Sequence, residues 1–467
     1  MSQTTSERSS VIEDLMRELP RGLILDPQQL LPVMTDKSGQ FSSGPPLCLV
    51  EAHDIEDVVT VVKIAGRHRI PVVTRGGGSG LAGGAIGSPG EIVLSLAKMN
   101  AILEISAKDR WAVVQAGVIN HDLNEAAKAH GLWFTPDPAS RKWSTVGGNI
   151  ATNAGGLLCM KYGVTRESVL ELRVVLANGE IMDVGHKSVK GVTGYDLTAL
   201  MVGSEGTLGI ICEARVSLKP LDTHPVWTIS GRAPEIGFAT QAVEHTISRG
   251  LQPAIMELLD EASVRHISEL LGLRIEHPGT VQLIAQADGA GSAEEAERIA
   301  TTWRECGLEV EVGEDRDDLI DFRRAMHPAM EAQGNVLIED VAVPRSQLSA
   351  MFAAIRQIEE DFGIEIPTVA HAGDGNLHPN FLYTGDEVPA EIWSAADALF
   401  RQAVAFGGTL TGEHGVGLLK KKWLREELGD AQWELQRKIK DLFDPEETPL
   451  TWQREQSSDE ITSSHRS

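Results

Sequence analysis

The sequence predicts an α+β protein of two domains, the second of which contains an antiparallel sheet covered by helices. Three observations indicate this class. The chain has 467 residues, enough for two hydrophobic cores. Glycine runs are concentrated in its first half, whereas strand-like and helix-like segments alternate from Val226 onward. We divide the chain into an N-terminal segment 1–41, a first domain 42–220, a second domain 221–425, a helix 426–449 that returns to the first domain, and a disordered tail 450–467.

Hydrophobic periodicity predicts the individual elements in order. Residues 54–68 have helical spacing with an acidic first turn, and Asn178-Gly179 between two apolar runs predicts a β-hairpin. Strands of the first domain are predicted at 70–74, 91–96, 111–115, 171–177 and 180–184, with a helix at 120–130. In the second domain, strand-like segments precede helices predicted at 234–249, 261–272, 292–306, 317–333 and 345–362, and two further helices are predicted at 391–406 and 420–443.

The composition excludes several classes of function. The chain has 67 acidic and 42 basic residues and a formal net charge of −25, which argues against binding nucleic acid or an anionic membrane. No apolar run approaches the roughly 18 residues of a membrane span, and no secretory signal is visible at the start. The four cysteines lie far apart without a CxxC pair, so neither an iron–sulfur cluster nor a disulfide framework is expected. We expect a cytoplasmic protein.

A glycine-rich stretch, PVVTRGGGSGLAGGA at 71–85, indicates a loop that binds a phosphate group. Dense glycine allows backbone N–H groups to approach an anion closely, and a flexible linker would be more polar and serine-rich. Residues 78–83 match GxGxxG, but the following glycines and proline cannot hold the helix that a dinucleotide fold requires. No GKS or GKT sequence is present. The loop is therefore expected to hold a diphosphate without a helix behind it.

Two further glycine-framed segments carry candidate metal ligands. His371 and His378 flank the turn sequence Gly-Asp-Gly-Asn, so the chain can fold back and bring both imidazoles together. Glu413 and His414 lie in a second glycine-bounded loop, TGEHGVG. Two histidines and a carboxylate suit a divalent metal such as zinc or manganese. Spacing alone leaves a structural role for these residues equally open.

Several motifs, in order, resemble the flavoprotein family that includes vanillyl-alcohol oxidase, with its PCMH-type FAD-binding domain and α/β cap. RGGGSGLAGG resembles its diphosphate loop, TVGGNIATNAGG at 145–156 its second flavin segment, and KGVTGYDL with GSEGTLGII at 203–211 its third. HAGDGNLHP and GEHGVG resemble the signature of the family's D-2-hydroxy-acid dehydrogenase branch. The match extends from about residue 42 to 445. It identifies the chain as a member of that branch, which includes D-lactate dehydrogenases and the flavin subunit of glycolate oxidase.

The resemblance implies an FAD site and supplies its residues. Small side chains let backbone amides, together with Asn149 and Asn153, face the flat ring system of the flavin. The rigid turn Pro136-Asp137-Pro138 lies along the flavin in the family. The implied FAD-binding residues are Arg75, Gly76, Gly77, Gly78, Ser79, Gly80, Leu81, Gly84, Pro136, Asp137, Val146, Gly147, Gly148, Asn149, Thr152, Asn153, Gly155, Gly156, Glu205, Gly209, Ile210 and Ile211.

The resemblance also implies a reaction and its residues. His371, His378 and Glu413 correspond to the branch's metal ligands, His414 to its base, and Arg323 to the arginine that binds the substrate carboxylate. A small 2-hydroxy acid would be oxidised to the 2-oxo acid by hydride transfer to flavin N5. The electron acceptor would be a quinone, a cytochrome or an electron-transfer flavoprotein. The oligomeric state is left open, with a homodimer among the options.

Three departures from the family pattern modify the prediction. Ser79 stands where some relatives carry a histidine that tethers the flavin, so non-covalent FAD is expected. Asp444-Pro445 is present, but the Asn-Pro-Gly-Lys that follows in relatives is missing. Ile338 stands where the branch has a lysine for a second carboxylate, which favours smaller acids over 2-hydroxyglutarate.

Two other functions remain open from the sequence. The same flavin fold could act as an oxidase that uses dioxygen, or as an ether-lipid-type synthase. The chain could also be a non-catalytic flavin-binding subunit of a larger dehydrogenase complex.

Overall fold

The computed structural model of the chain describes residues 5–19, 21–274, 279–385, 387–445 and 450. Helices and mostly antiparallel sheets are distributed over an N-terminal half, up to Pro220, and a C-terminal half with its own large sheet. The predicted α+β class is therefore confirmed. No helix among the described residues combines the length and apolar character needed to cross a bilayer. Of the predicted tail, residues 451–467 lie outside the described part.

A four-stranded sheet begins the N-terminal half. Three of its strands, Cys48–Glu51, Ile92–Ser95 and Val72–Arg75, run parallel, and their apolar residues are buried on both faces. The helix Ile55–His68 packs on this sheet together with the helix Thr5–Glu18. In order across the sheet, the strands are Leu23–Ile24, Cys48–Glu51, Ile92–Ser95 and Val72–Arg75.

The helix Ile55–His68 begins one residue after the predicted start and ends at the predicted residue, and both of its ends are capped. The Asp54 carboxylate accepts a hydrogen bond from the Asp57 backbone N–H, and Arg69 ends the helix in the left-handed region with φ of 54°. Its buried valines and isoleucine recur at helical spacing and face the sheet.

A five-stranded antiparallel sheet follows and contains the predicted hairpin. Gly179, with φ of 77°, and the Asn178 side chain, which accepts a hydrogen bond from Glu180 N–H, form its turn. In order, the strands are Ile102–Ser106, Trp111–Gln115, Ile210–Ser217, Val169–Val175 and Ile181–Gly185. A small separate ladder pairs Leu132–Trp133 with Lys219–Pro220.

Short helices connect these strands, and one of them forms within the second glycine-rich segment. The helix Val146–Thr152 begins at Thr145, whose hydroxyl accepts a hydrogen bond from Gly148 N–H. A Cβ on Gly147 would lie 2.5 Å from the Ala116 Cβ, so glycine is required there for close packing against the sheet. The other helices of this half are Pro27–Leu30, Asn120–Lys128, Cys159–Tyr162, Thr165–Ser168 and Leu197–Met201, and a 3₁₀ turn covers Leu31–Val33.

The C-terminal half is built on an antiparallel eight-stranded sheet covered by helices. Strand Ile255–Leu259 lies at its centre and is buried along its whole length. In order, the strands are Glu309–Glu314, Trp227–Ala233, Val281–Ala287, Ile255–Leu259, Thr368–His371, Asn376–Tyr383 and Asn335–Ile338, with Val341–Ala342 also paired to Asn376–Tyr383.

The helices of this half follow the predicted sequence with two corrections. The helix predicted at 420–443 has a kink at Gly429, which adopts φ of 69° and ψ of 163°. The helix predicted at 317–333 is divided into Asp317–Arg324 and Met326–Glu331. Pro328 explains the break, because it has no backbone N–H to donate to the preceding turn. The remaining helices are Ile236–Ser248, Glu261–Leu271, Ser292–Glu305, Leu348–Phe362, Ala390–Ala405 and Lys421–Phe443, and a 3₁₀ turn covers Arg345–Gln347.

The last helix, Lys421–Phe443, contacts the N-terminal half. Ile439 and Phe443 pack against its five-stranded sheet, and the Lys440 ammonium donates hydrogen bonds to the carbonyls of Thr207 and Leu450. Leu450 is buried and forms a bridge with Val72 in the first sheet. Leu450, the first residue of the segment predicted to be a disordered tail, is therefore packed against the first sheet.

Candidate active site

A cavity of about 660 Å³ lies where the two halves meet. Both halves contribute to its wall: the glycine-rich segments come from the N-terminal side and the histidines from the C-terminal side. The predicted site residues in the wall are Gly76, Gly77, Gly78, Ser79, Gly80, Leu81, Gly84, Asp137, Gly147, Gly148, Asn149, Thr152, Gly155, Gly156, Glu205, Gly209, Ile211, Arg323, His371, His378, Glu413 and His414. The cavity thus brings the predicted flavin segments and the predicted metal residues together.

The glycine-rich loop needs its glycines for close approach to its neighbours. A Cβ on Gly77 would lie 2.2 Å from the Trp143 carbonyl oxygen, and one on Gly76 would lie 2.5 Å from the Thr145 hydroxyl. Gly78 adopts φ of 66°. Residues 76–91, all of which the structure describes, contain no helix. As predicted, this loop differs from the dinucleotide-binding loop that opens a helix.

Five of the predicted flavin-binding residues are absent from the cavity wall: Arg75, Pro136, Val146, Asn153 and Ile210. Val146 and Ile210 are fully buried in hydrophobic cores. Asn153 ends the helix of the second segment in the left-handed region, with φ of 51°.

The polar groups of the other two residues, Arg75 and Pro136, form hydrogen bonds with other parts of the protein. The Arg75 guanidinium donates hydrogen bonds to the carbonyls of Thr35, at 2.9 Å, and Ala85, at 2.7 Å. The Pro136 carbonyl accepts a hydrogen bond from the Asn120 side chain. Arg75 therefore anchors the glycine-rich loop at its base, and nothing in the sequence distinguished that role from contact with a phosphate.

His371 and His378 converge as the turn sequence predicted. They lie on neighbouring antiparallel strands, with His371 opposite Asn376 and His378 opposite Val369, so both imidazoles project from one face. Their ring centroids are 5.1 Å apart. Glu413 Oε1 lies 3.4 Å from His371 Nε2 and 3.1 Å from His378 Nε2. The three side chains form one cluster of potential metal ligands.

Two buried carboxylates lie behind these imidazoles. Glu257 Oε1 is 2.7 Å from His371 Nδ1, and Asp340 Oδ1 is 3.9 Å from His378 Nδ1. A carboxylate at Nδ1 leaves Nε2 of each ring on the Glu413 side, which is the usual orientation of histidine ligands in metal sites. Sequence reasoning missed both residues. The available signal was a charged residue inside an otherwise apolar strand run, in MELL and in VLIEDVAV.

The charges and unpartnered atoms of this cluster fit a divalent cation. Apart from the histidines, the cluster and its surroundings contain four carboxylates, those of Glu257, Glu339, Asp340 and Glu413, and only two cations, Arg323 and Lys420. His378 Nδ1 and Asp340 Oδ1 are buried without a hydrogen-bond partner in the described residues. Because an isolated negative charge is costly to bury, a bound cation would stabilise this arrangement.

The pKa values in the cluster reflect the same imbalance. Burial alone would lower the pKa of His371, but the negative charges of Glu257 and Glu413 raise it well above its ordinary value. Burial would raise the pKa of Glu413, but His371 and its hydrogen bonds to both histidines hold it well below the usual range. His371 is thus protonated and Glu413 ionised near neutral pH, and a metal ion would displace the proton.

His414 lies beside the metal cluster and has a different environment. Its ring stacks on His378 with centroids 5.1 Å apart, and its backbone N–H donates to Asp340 Oδ2 at 2.9 Å. Burial lowers the pKa of His414 to about 4. The imidazole is therefore neutral near pH 7, and with a pKa this low it can take a proton only from a group whose own pKa has been lowered, as metal coordination would do.

Arg323 lies in the last turn of the helix Asp317–Arg324 and lines the cavity. Its Nε donates to Glu257 Oε2 at 2.7 Å. One buried carboxylate therefore holds both the arginine and His371. Arg324 also lines the cavity, but its guanidinium is partly exposed and pairs with Asp321.

The N-terminal segment 1–41, to which the sequence assigned no role, also contributes to the site. Asp36 and Lys37 line the cavity next to the glycine-rich loop. Arg141 and Trp143, beyond the Pro136-Asp137-Pro138 turn, line it as well. Lys37 and Arg141 place positive charge in the wall in addition to that of Arg323 and Arg324.

Comparison with known proteins agrees with this geometry. A family profile described as FAD binding domain matches residues 46–185, and one described as FAD linked oxidases, C-terminal domain, matches residues 228–448. Glycolate oxidase subunit GlcD of Bacillus subtilis is 37% identical over 420 residues, which cover 88% of this chain and 89% of that protein. D-lactate dehydrogenase of Archaeoglobus fulgidus is 36% identical over 418 residues, which cover 87% and 93% of the two chains.

Solved structures show the same fold at low sequence identity. p-Cresol methylhydroxylase with substrate bound superposes with a TM-score of 0.76 at 17% identity, covering 95% of this chain and 95% of that chain. The 4-ethylphenol oxidase of Gulosibacter chungangensis gives a TM-score of 0.74 at 17% identity, covering 95% and 96%. The resemblance to this flavoprotein family is confirmed: the chain belongs to the FAD-linked oxidases and is a flavin-dependent oxidoreductase.

Proposed function

We propose that this chain oxidises a small D-2-hydroxy acid, of the D-lactate or glycolate type, to the 2-oxo acid with non-covalent FAD and a divalent metal ion. One observation carries the proposal: His371, His378 and Glu413 line the same cavity as the glycine-rich segments. A Cβ on Gly155 would lie 2.4 Å from Glu413 Oε2, so the second glycine-rich segment directly contacts the metal cluster. The names of the relatives support the substrate class.

The chain's own residues have distinct parts in this reaction. Arg323 binds the substrate carboxylate, and Glu257 holds the guanidinium in place through the 2.7 Å hydrogen bond. His414, kept neutral by burial, accepts the hydroxyl proton. Bound FAD would accept the hydride at N5, and a zinc or manganese ion held by His371, His378 and Glu413 would lower the pKa of the hydroxyl group.

Turnover requires a second substrate that reoxidises the flavin. We propose a quinone, a cytochrome or an electron-transfer flavoprotein in this role, and a cytoplasmic location for the enzyme. Ile338 lines the cavity and offers no positive charge. A substrate with one carboxylate is therefore preferred over 2-hydroxyglutarate.

Anaerobic mixing of the FAD-loaded protein with D-lactate, glycolate and D-2-hydroxyglutarate tests the proposal. We expect D-lactate or glycolate to bleach the flavin absorbance band, and L-lactate to serve as the stereochemical control. Peroxide formation in air would instead identify an oxidase. An intact flavin that no acid bleaches, in a protein without bound metal, would refute the proposal in favour of a non-catalytic subunit.

A further inference from the structure

Glu205 connects the two halves of the molecule at the edge of the cavity. It belongs to the third glycine-rich segment, but its carboxylate accepts hydrogen bonds from the backbone N–H groups of Val416, at 2.8 Å, and Gly417, at 2.9 Å. Glu205 itself adopts φ of 52°, which is uncommon for a residue with a side chain. Both carboxylate oxygens are thus committed to the loop that carries the proposed metal ligand and base.

The glycine-rich diphosphate loop contacts the same segment from the other side. The Ala82 carbonyl accepts hydrogen bonds from Leu418 N–H at 2.8 Å and Leu419 N–H at 3.2 Å. A Cβ on Gly417 would lie 2.0 Å from the Ala82 carbonyl oxygen, so the two backbones meet without room for a side chain. Residues 416–419 are therefore held between Glu205 and the diphosphate loop.

The metal ligand and the base lie only a few residues from these contacts. Glu413 and His414 precede Val416 in the same loop, and Thr411 closes the loop by donating its hydroxyl to the Gly415 carbonyl at 3.1 Å. Asp340 of the C-terminal half accepts the backbone N–H groups of Glu413 and His414, while Glu205 and Ala82 of the N-terminal half hold the residues that follow them. The loop that carries the third metal ligand is therefore held from both halves of the molecule.

We propose that Glu205 is a positioning residue that couples FAD binding to metal binding. The inference rests on the proposed function. FAD would order the diphosphate loop and hold Glu205 and Ala82 against residues 416–419, so the metal ion would meet a preorganised Glu413. Without FAD, metal binding would itself have to order this segment, which costs conformational entropy. By linkage, the metal would tighten FAD binding by the same factor.

Metal binding is measured by chelator competition with Mn²⁺ or Zn²⁺ alone, on the full chain with FAD and after removal of FAD. We expect the FAD-loaded protein to bind the ion at least about fivefold more tightly, the lower end of typical coupling between sites. In Glu205→Gln, the side-chain NH₂ group faces the backbone N–H of either Val416 or Gly417 and cannot accept its hydrogen bond. The difference in metal affinity with and without FAD should therefore become much smaller. The exposed Glu104→Gln variant should keep the wild-type effect.

Amide hydrogen exchange gives a second readout that requires no metal. The Val416 and Gly417 amides should exchange more slowly with FAD than without it in the wild type, and the difference should be reduced in Glu205→Gln. Equal metal affinity with and without FAD, together with equal exchange, would overturn the coupling while leaving the metal site intact. If neither form binds the ion, the proposed metal site itself fails.

Discussion

The proposed proton acceptor, His414, and the proposed metal ligands are neighbours, but they differ in charge state. His414 is stacked on His378, yet burial keeps the first neutral, whereas carboxylates hold a proton on His371. Asp340 Oδ2 accepts the backbone N–H groups of Glu413 and His414 at 3.0 Å and 2.9 Å. A single buried carboxylate therefore fixes the backbone of the proposed base and of the ligand beside it.

Replacement of His414 by Ala should abolish flavin reduction while FAD remains bound. General base catalysis typically contributes about 10²- to 10⁴-fold to a rate, and the other two imidazoles of this cluster, those of His371 and His378, are assigned to the metal ion. Stopped-flow absorbance with the preferred acid measures the rate, and the exposed His130→Ala variant is the control. Reduction kinetics equal to the wild type would remove His414 from the mechanism.

Arg323 is the cation that we assign to the substrate carboxylate. Replacement by Met should raise KM for any 2-hydroxy acid by at least about tenfold, because a hydrogen bond to a charged group contributes about 1.5–3 kcal/mol. Steady-state kinetics measure the change. Arg316, whose guanidinium pairs with Asp318 on the surface, provides the control variant Arg316→Met. A saturation curve identical to the wild type would contradict the assignment.

At the scale of secondary-structure elements, Asp260 fixes the strand that presents His371. Its carboxylate caps the helix Glu261–Leu271 through Ser263 N–H and also accepts a hydrogen bond from Thr368 N–H, each at 2.7 Å. Thr368 begins the strand Thr368–His371. One side chain thus joins a helix N-terminus to the strand that ends at the metal cluster.

The burial of the Asp260 carboxylate predicts that the free energy of unfolding depends on pH. Burial raises the pKa of Asp260 to about 7. Because the folded value lies above the unfolded value near 4, the contribution of Asp260 to the free energy of unfolding is fully present below about pH 4 and lost as pH rises to 7. In denaturant unfolding experiments between pH 4 and 7, the free energy of unfolding should fall less with rising pH for Asp260→Asn than for the wild type. The exposed Asp317→Asn variant is the control, and parallel pH profiles for Asp260→Asn and wild type would refute the shift.

Elements were predicted well where the pattern is local. The helix Ile55–His68 and the hairpin at Asn178-Gly179 depend on caps and turn residues that the sequence displays directly. The prediction of one continuous helix at 317–333 was wrong, because it followed the hydrophobic periodicity and did not take account of Pro328. The helix Val146–Thr152 contains glycines that are explained only by packing against Ala116, a contact between distant parts of the chain.

At the scale of the whole molecule, the family resemblance and local motifs gave the fold and the cluster of His371, His378 and Glu413. Glu257, Asp340 and the cavity-facing role of Lys37 were not predicted, because they depend on which strands and loops become neighbours after folding. The same limitation explains Arg75, whose guanidinium holds loop carbonyls and does not line the cavity.

At the same scale, we predict that FAD dissociates from the protein when the protein is denatured. Ser79 lines the cavity, and a serine hydroxyl lacks the imidazole nitrogen that a histidine-linked flavin would require. Acid precipitation followed by absorbance of the supernatant should recover the flavin in solution, and a denaturing gel should show no fluorescent protein band. A flavin that stays with the precipitated chain would mean a covalent link at another residue.

The return of the last helix to the N-terminal half has a practical consequence. Leu450 bridges Val72, the first residue of the strand Val72–Arg75 that leads into the glycine-rich loop, and Lys440 joins Leu450 to Thr207. The yellow colour of a purified preparation therefore reports synthesis of nearly the complete polypeptide. A fragment truncated before Lys440 should be isolated colourless, even with every glycine of the cofactor loop in place.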